Sequence, residues 1–336
     1  MFNKLKTLHS LFSDLRESMN PRIDIDMFGN MANAFSKAQD SSMPVSELLE
    51  SRPAKASLTK KTDWHKADGE CDWQLTFSNS LFAEGRIRFF KPSQVKRVLI
   101  FFPGTLGTAA DLIGAQKDTF GLREYCEKHS IGLGVWDWPL QGERKNGLYK
   151  NFNSYSSIER EYSRTLGLLG TSLWREYAAE ASFCMKCLGE VIPDTASIEV
   201  CGWSQGALFA WFAPFFGLPI RQVTIAGSCA LFQDLLEAGK PHIHGYFYYP
   251  AFGQRTIDLD DVLMQALQAG VNVSLIHGEE DRGCLSASVS QLQHLIDEKG
   301  LNERQFKITR LPGIGHKFPG PIRDAFFQQF SNRSVA

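Results

Sequence analysis

From about residue 64 onward, short apolar segments alternate with longer segments of helical periodicity. The clearest apolar segment, residues 97–102, has the sequence RVLIFF and ends at Pro103-Gly104. Such a run is typical of a central strand buried on both faces, because a strand with one solvent face alternates polar and apolar residues. Repeated strand–helix alternation predicts an α/β fold with a mainly parallel, twisted sheet and helices on both faces.

The predicted elements follow this alternation along the chain. The strands are 73–77, 86–90, 97–102, 132–136, 197–202, 223–226, 271–277 and 306–311, the first two forming a hairpin. The helices are 111–129, a helical region over 156–191, 206–216, 286–299 and 322–330. The parallel strands should therefore end at one edge of the sheet, which is where open α/β sheets bind their ligands.

The N-terminal part of the chain has a different pattern. Apolar residues recur at helical spacing over residues 2–15 and again over 27–35, and the polar stretch 55–62 is predicted to be a linker. We therefore divide the chain into a helical N-terminal extension, residues 1–62, and a main domain, residues 63–336. The extension either packs on the main domain or offers a surface for a protein partner, for self-association or for a membrane surface.

Charge and composition narrow the classes of function. The 336 residues include 36 Lys or Arg and 37 Asp or Glu, a formal net charge of −1, which argues against a nucleic-acid partner. A content of 43% apolar and 22% charged residues is typical of globular proteins. The longest apolar stretch, residues 208–220, contains two prolines and is too short to cross a bilayer, so no transmembrane segment is predicted. The N-terminus lacks the apolar core of a secretory signal, so we expect a cytoplasmic location.

Cysteine usage agrees with that expectation. Seven cysteines are too few, and odd in number, for a disulfide framework, and they are expected to be reduced thiols. Cys184 and Cys187 form a C-x-x-C inside the predicted helix 177–191. A redox or metal role is the alternative, but without a second cysteine pair nearby the pattern favours two buried structural thiols.

A possible nucleophile lies in the sequence Gly202-Trp203-Ser204-Gln205-Gly206, which matches G-x-S-x-G. The motif follows the apolar strand 197–202 and precedes helix-forming residues, and this strand–turn–helix setting is the one that a nucleophile elbow requires. The helix N-terminus would direct its amides at developing negative charge. The alternative is a glycine-rich turn in which the serine has no chemical role.

A serine nucleophile needs a base, and the base needs an acid that orients it. Asp281 comes just after the predicted strand 271–277, and His316 lies in a glycine-rich loop after the strand 306–311. Glu279 and Glu280 are alternatives for the acid, and His316 could instead be a solvated or helix-capping loop histidine. His277 is interpreted as structural. The order Ser204, Asp281, His316 places all three after strands.

At these residues the chain resembles the α/β-hydrolase superfamily, over roughly residues 64–330. The resemblance implies a Ser204–His316–Asp281 triad and an oxyanion hole formed by the backbone N–H groups of Gln205 and Thr105, with Leu106 as the alternative second donor. The segment 101–105 stands where the family has its His-Gly oxyanion loop, with Pro103 in place of the histidine.

A second segment adds to this resemblance. The sequence of residues 137–142, Asp-Trp-Pro-Leu-Gln-Gly, is similar to the family's D-x-P-G-x-G turn. Leu140 stands in place of the first glycine of that turn.

Aromatic residues suggest where a substrate would lie. The chain has 25 Phe, 8 Tyr and 7 Trp, and an aromatic run at 246–252 falls in a long connection, residues 231–262, that we interpret as a small lid or cap. A loop packed on the surface by its own side chains is the alternative. The residues predicted to bind substrate are Trp203, Trp136, Trp138, Tyr246 and Tyr249. The aromatic residues of the helix after Ser204 are predicted to be core.

These observations predict an enzyme without a cofactor or metal. No nucleotide-binding motif follows a strand, and His242 and His244 have no clear third ligand. The predicted function is a serine hydrolase that cleaves a small-molecule carboxylic ester with an apolar acyl or alcohol part. A thioesterase or acyltransferase of a biosynthetic pathway is the first alternative, and a lyase or non-enzymatic binder on the same fold is the second.

Overall fold

The computed structural model describes residues 54–67, 72–104, 120–140, 155–169, 171–229, 258–281, 284–301, 305–318 and 320–331, with positions 44, 46, 144, 231 and 234. The described strands are β1 Leu58–Lys60, β2 His65–Lys66, β3 Asp72–Asn79, β4 Gly85–Phe90, β5 Arg97–Phe102, β6 Ile131–Trp136, β7 Ser197–Trp203, β8 Ile220–Ala226, β9 Asn272–Gly278 and β10 Phe306–Leu311. The described helices are α1 Leu122–Lys128, α2 Tyr155–Leu168, α3 Leu173–Gly189, α4 Gln205–Phe212, α5 Leu259–Gln268, α6 Ser286–Glu298 and α7 Pro321–Ser331, and a 3₁₀ turn, Ala213–Phe215, follows α4.

All the described strands form one sheet in the order β1-β3-β4-β6-β5-β7-β8-β9-β10, with β2 also pairing with β3. The six strands from β6 to β10 along this order are parallel, and the hairpin β3–β4 joins them through an antiparallel pairing of β4 with β6. The predicted mainly parallel sheet and the predicted hairpin are confirmed. Because β7, β8, β9 and β10 are successive neighbours, residues that follow them lie along one edge.

Two hydrophobic clusters cover the two faces of the sheet. Along β5, Val98, Ile100 and Phe102 belong to the larger cluster, whereas Leu99 and Phe101 belong to the smaller one. This alternation explains the continuous apolar run, since successive strand side chains point to opposite faces and both faces are covered. Helices α1 and α7 pack in the smaller cluster, and helices α2 to α6 contribute to the larger one.

The stretch predicted to be a linker is part of the sheet. Within residues 55–62, Leu58–Lys60 forms an edge strand antiparallel to β3, which corrects the prediction. The carboxylate of Glu176, a residue of α3 with no exposed surface, accepts hydrogen bonds from the backbone N–H groups of Lys55 and Ala56, both at 2.9 Å. Polarity alone suggested a linker, but polar residues are also typical of the edge of a sheet.

Two further predictions lie mostly outside the described residues. The N-terminal helices fall there, so the extension and its partner surface stay predictions. Of the predicted lid, residues 231–262, the structure describes positions 231 and 234 and residues 258–262, which lead into α5, a helix that the sequence analysis did not predict. None of the described helices is long and apolar enough to cross a membrane.

The C-x-x-C lies on α3, and both of its thiols are buried in the larger cluster. Burial raises the pKa of the Cys187 thiol to about 11 and that of the Cys184 thiol well above its ordinary value. Both thiols are therefore protonated at neutral pH, and the thiolate is the reactive form of cysteine. These surroundings support the interpretation as structural thiols.

Leu140, which stands where the resemblance places a glycine, has a φ of 64°. A left-handed backbone costs a leucine about 1–2 kcal/mol. Its side chain is fully buried in the larger cluster, and burying a leucine contributes about 1.5–3 kcal/mol. The side chain therefore offsets the strain that a glycine would avoid.

The aromatic residues of α4 form core, as predicted. Phe209 has no exposed surface and contacts Trp138 and Tyr177, with ring centroids 4.8 and 5.8 Å apart. Phe209→Ala should lower the free energy of unfolding by about 3–5 kcal/mol, because it leaves a cavity among these rings. Chemical denaturation monitored by circular dichroism measures this loss.

Leu168→Ala is the control for that substitution, since Leu168 is 59% exposed. It should change the free energy of unfolding by no more than about 0.5 kcal/mol. Equal losses in the two variants would contradict the assignment of Phe209 to the core.

Candidate active site

Ser204 lies at the junction of β7 and α4 in a strained backbone conformation. Its φ and ψ are 54° and −120°, an unusual combination for a residue with a side chain. The Ser204 N–H donates to the carbonyl of Ala226 at 2.9 Å, and the Ser204 carbonyl accepts from the N–H of Ala207 at 3.0 Å. Because such strain persists only where the surroundings hold it, this junction has the character of a nucleophile elbow.

The two glycines of the motif are required because neighbouring backbone atoms lie too close to leave room for a side chain. A Cβ atom on Gly206 would lie 2.1 Å from the carbonyl oxygen of Phe102, and one on Gly202 would lie 2.5 Å from the carbonyl oxygen of Gly206. Both distances are far below any real contact of a Cβ atom with backbone. The G-x-S-x-G spacing thus lets α4 begin directly against the end of β5.

The structure brings the three predicted site residues into one hydrogen-bonded chain. Ser204 Oγ lies 2.8 Å from His316 Nε2, and His316 Nδ1 lies 2.8 and 2.9 Å from the two carboxylate oxygens of Asp281. With the ring proton on Nδ1 donated to Asp281, Nε2 can accept the proton of the serine hydroxyl. The arrangement can therefore activate a serine.

The geometry also distinguishes Asp281 from the two alternative acids. The side chain of Asp281 has no exposed surface, whereas Glu279 and Glu280 are exposed. Asp281 is held in its turn by its N–H, which donates to the carbonyl of Gly278 at 2.9 Å. His277 is buried and lies 3.2 Å, through Nε2, from Ser286 Oγ, which supports its interpretation as structural.

His316 contacts an aromatic ring of the residue that precedes Ser204. The Trp203 ring stacks on the imidazole with a centroid distance of 4.5 Å and an interplanar angle of 26°, and the Phe318 ring stacks on Trp203 with a centroid distance of 5.0 Å. Sequence analysis singled out Trp203 as a substrate contact and missed Phe318, because spacing does not show that position 318 returns to position 203.

Only part of the predicted oxyanion hole is described. Gln205 is the first residue of α4, so its backbone N–H cannot bond within the helix. Thr105 and Leu106 lie outside the described residues, and on Gly104, the residue before them, a Cβ atom would be 3.1 Å from Ser204 Cβ. The pairing of Gln205 with Thr105 stays a prediction.

The predicted substrate-binding aromatic residues fall into two groups. Tyr246 and Tyr249 lie outside the described residues. Trp136 and Trp138 are buried in the larger cluster, packed against each other with centroids 5.6 Å apart, so their contact with a substrate stays a prediction. Trp138 also donates its indole N–H to the carbonyl of Pro103 at 2.7 Å, which fixes the start of the loop beside Ser204.

Glu159 is a polar residue near the site that sequence analysis missed. It has no exposed surface, and its carboxylate accepts a hydrogen bond from Nε2 of Gln205 at 2.5 Å. The Tyr177 hydroxyl donates to the same carboxylate oxygen at 3.2 Å. A glutamate in a helical segment carries no sequence signal of such a contact, because α2 and α4 meet only through the tertiary fold.

Several solved structures have a fold similar to that of this chain. An acetyl xylan esterase from Paenibacillus sp. R4 superposes with a TM-score of 0.54 over 93% of this chain and 95% of its own, at 14% identity. A Bacteroides fragilis protein assigned as an acetyl xylan esterase superposes with a TM-score of 0.55 over 90% of this chain and 79% of its own, at 13% identity. A Porphyromonas gingivalis dipeptidyl peptidase 4 gives a TM-score of 0.50 over 87% of this chain and 37% of its own, at 13% identity.

The chain has the α/β-hydrolase fold. No protein-family model matches the chain, and no curated protein matches it in sequence. The likeness is therefore one of architecture, and the residues of the site carry the chemistry.

A fluorophosphonate probe tests the reactivity of this site in the α/β-hydrolase fold. We expect it to label Ser204, because the His316 contact activates the hydroxyl. Asp281→Asn should slow labelling by at least about 10³-fold, since the amide no longer fixes the productive imidazole tautomer. Intact-protein mass spectrometry and peptide mapping measure the rate and the labelled residue.

Glu280→Gln is the matched control, because it makes the same chemical change one residue away on an exposed side chain. It should label at the rate of the unmodified protein. Equal slowing in both variants, or labelling at another serine, would rule out the Ser204–His316–Asp281 arrangement as the reactive centre.

Proposed function

We propose that this protein is a serine hydrolase that cleaves a carboxylic ester through a Ser204 acyl-enzyme. The hydrogen-bonded chain from Ser204 through His316 to the buried Asp281 carries the proposal. Its three members come from loops after three strands of one parallel sheet, which is the arrangement that acyl-transfer chemistry on this fold uses. The esterases and the peptidase with similar folds support hydrolysis as the reaction class.

The steps follow from the positions of the groups. His316 Nε2 takes the proton of Ser204 as Oγ attacks the acyl carbonyl, and it then gives this proton to the leaving alcohol. Asp281 holds the ring in the required tautomer and stabilises the imidazolium that forms. The Gln205 N–H, with a second donor from the loop after Gly104, would bind the oxyanion. Water then attacks the acyl carbonyl as His316 Nε2 takes its proton, and the bond to Ser204 Oγ breaks as His316 returns that proton to Oγ and the carboxylic acid leaves.

An apolar acyl or alcohol part is the finer element of the proposal. Trp203 stacks on His316 and Phe318 stacks on Trp203, which gives this edge of the sheet an apolar character. Pockets of this kind bind apolar groups and use a few polar groups for orientation. A small-molecule ester with a hydrocarbon part therefore fits better than a charged substrate.

Hydrolysis of p-nitrophenyl butyrate tests the reaction itself. Ser204→Ala should lower kcat/KM by at least about 10⁴-fold, because it removes the nucleophile. Ser274→Ala is the matched control, since Ser274 is also buried but lies within β9, where its hydroxyl accepts a hydrogen bond from Gln222 Nε2 at 3.1 Å. Its activity should be unchanged. Equal turnover by Ser204→Ala and the unmodified protein would disprove the proposed reaction.

A series of p-nitrophenyl esters from acetate to hexanoate tests the apolar acyl part. Each added methylene that is buried contributes about 0.8 kcal/mol, so kcat/KM should rise about fourfold per methylene until the pocket is filled. A matched series of acetate esters with lengthening alcohols tests the alcohol part. If kcat/KM rises in neither series, the proposal of an apolar acyl or alcohol part is wrong, whereas the proposal of ester hydrolysis is unaffected.

A further inference from the structure

Glu159 is a buried carboxylate that the proposed mechanism does not use. It lies on α2 with no exposed surface, and Gln205, the residue that follows the proposed nucleophile, donates its side-chain amide to Glu159 Oε1 at 2.5 Å. The Tyr177 hydroxyl of α3 donates to the same oxygen at 3.2 Å. Burying a carboxylate costs free energy unless hydrogen bonds compensate for it. The two hydrogen bonds to Glu159 therefore show which residues its carboxylate can hold in place.

Gln205 is the residue through which Glu159 can affect the proposed active site. Its backbone follows directly after the strained Ser204, and it is 3% exposed at the first position of α4. On the strand side, the hydrogen bond from the Ser204 N–H to the Ala226 carbonyl holds the turn. On the helix side, the bond between the Gln205 amide and Glu159 ties the first residue of α4 to a separate helix. A strained turn needs such support from both sides to persist.

We propose that Glu159 is a positioning residue that holds Gln205, through its side-chain amide, with the backbone N–H directed at the oxyanion. The inference rests on the proposed acyl-transfer function. Tyr177 orients the carboxylate, and Glu159 itself touches no reacting atom. The role is geometric rather than electrostatic, because a negative charge near the oxyanion would oppose its formation.

Glu159→Leu should therefore lower kcat on p-nitrophenyl butyrate by about 10- to 100-fold, less than the 10²–10³-fold typical of losing an oxyanion donor outright. KM should stay within about twofold, since the interaction acts in the transition state and not in substrate binding. Glu159→Gln keeps an acceptor oxygen for Gln205 and removes the charge, so it should retain kcat within about threefold. The rescue by Glu159→Gln separates a hydrogen-bonding role from a role of the charge.

Glu176→Leu is the matched control. Glu176 is also a glutamate with no exposed surface, and its carboxylate binds the Thr171 hydroxyl at 2.6 Å and the N–H groups of Lys55 and Ala56. Its substitution should lower the melting temperature without lowering kcat. If Glu159→Leu does not fold, Gln205→Leu removes the same hydrogen bond from its donor side and should show the same loss of kcat.

Three results would overturn the inference. The first is an unchanged kcat in the folded Glu159→Leu or Gln205→Leu variant. The second is an equal loss of kcat in Glu176→Leu, and the third is a loss of kcat in Glu159→Gln as large as that in Glu159→Leu. The rate of fluorophosphonate labelling separates this inference from the proposed function. A protein that labels at Ser204 but cleaves no ester refutes the proposed function alone, and the effect of Glu159→Leu on the labelling rate then decides the role of Glu159. A protein that neither labels nor cleaves esters refutes both.

Discussion

The strained backbone of Ser204 is the constraint on which the site depends. A φ of 54° at a serine holds its hydroxyl above the end of β7, where it meets His316 at 2.8 Å. This conformation is stable only because α4 begins against β5, and that close approach requires glycine at position 206. The hydrogen bond from Ser204 to Ala226 ties the same turn to β8. Local strain at one residue is thus held by three strands and a helix.

The parallel sheet explains why residues 204, 281 and 316 meet. They follow β7, β9 and β10, whose carboxyl ends lie along one edge because the strands from β7 to β10 are parallel neighbours. The two covered faces of the sheet bury its strands, and this burial keeps the loops that follow them in fixed positions. The geometry of the site is therefore a property of the whole sheet, and the aromatic core that fills its faces supports it indirectly.

Aromatic residues serve two distinct purposes in this architecture. Phe209, Trp136 and Trp138 are buried and help to fill the larger cluster, so their role is packing. Trp203, a residue of the smaller cluster, also stacks on the imidazole of His316, and Phe318 stacks on Trp203. The indole of Trp203 therefore covers part of the imidazole, while 40% of the His316 side chain stays exposed.

The sequence by itself determined the strand–helix alternation, the position of the elbow and the order of Ser204, Asp281 and His316, because periodicity and short motifs are local signals. The tertiary structure then separated Asp281 from the adjacent glutamates, and it alone decided two other features: the contact of Glu159 with Gln205 and the pairing of Leu58–Lys60 at the edge of the sheet. Each depends on which distant segment a side chain or strand edge meets. Local patterns report that a residue is buried or polar, whereas its partner is fixed only when the sheet and its helices pack together.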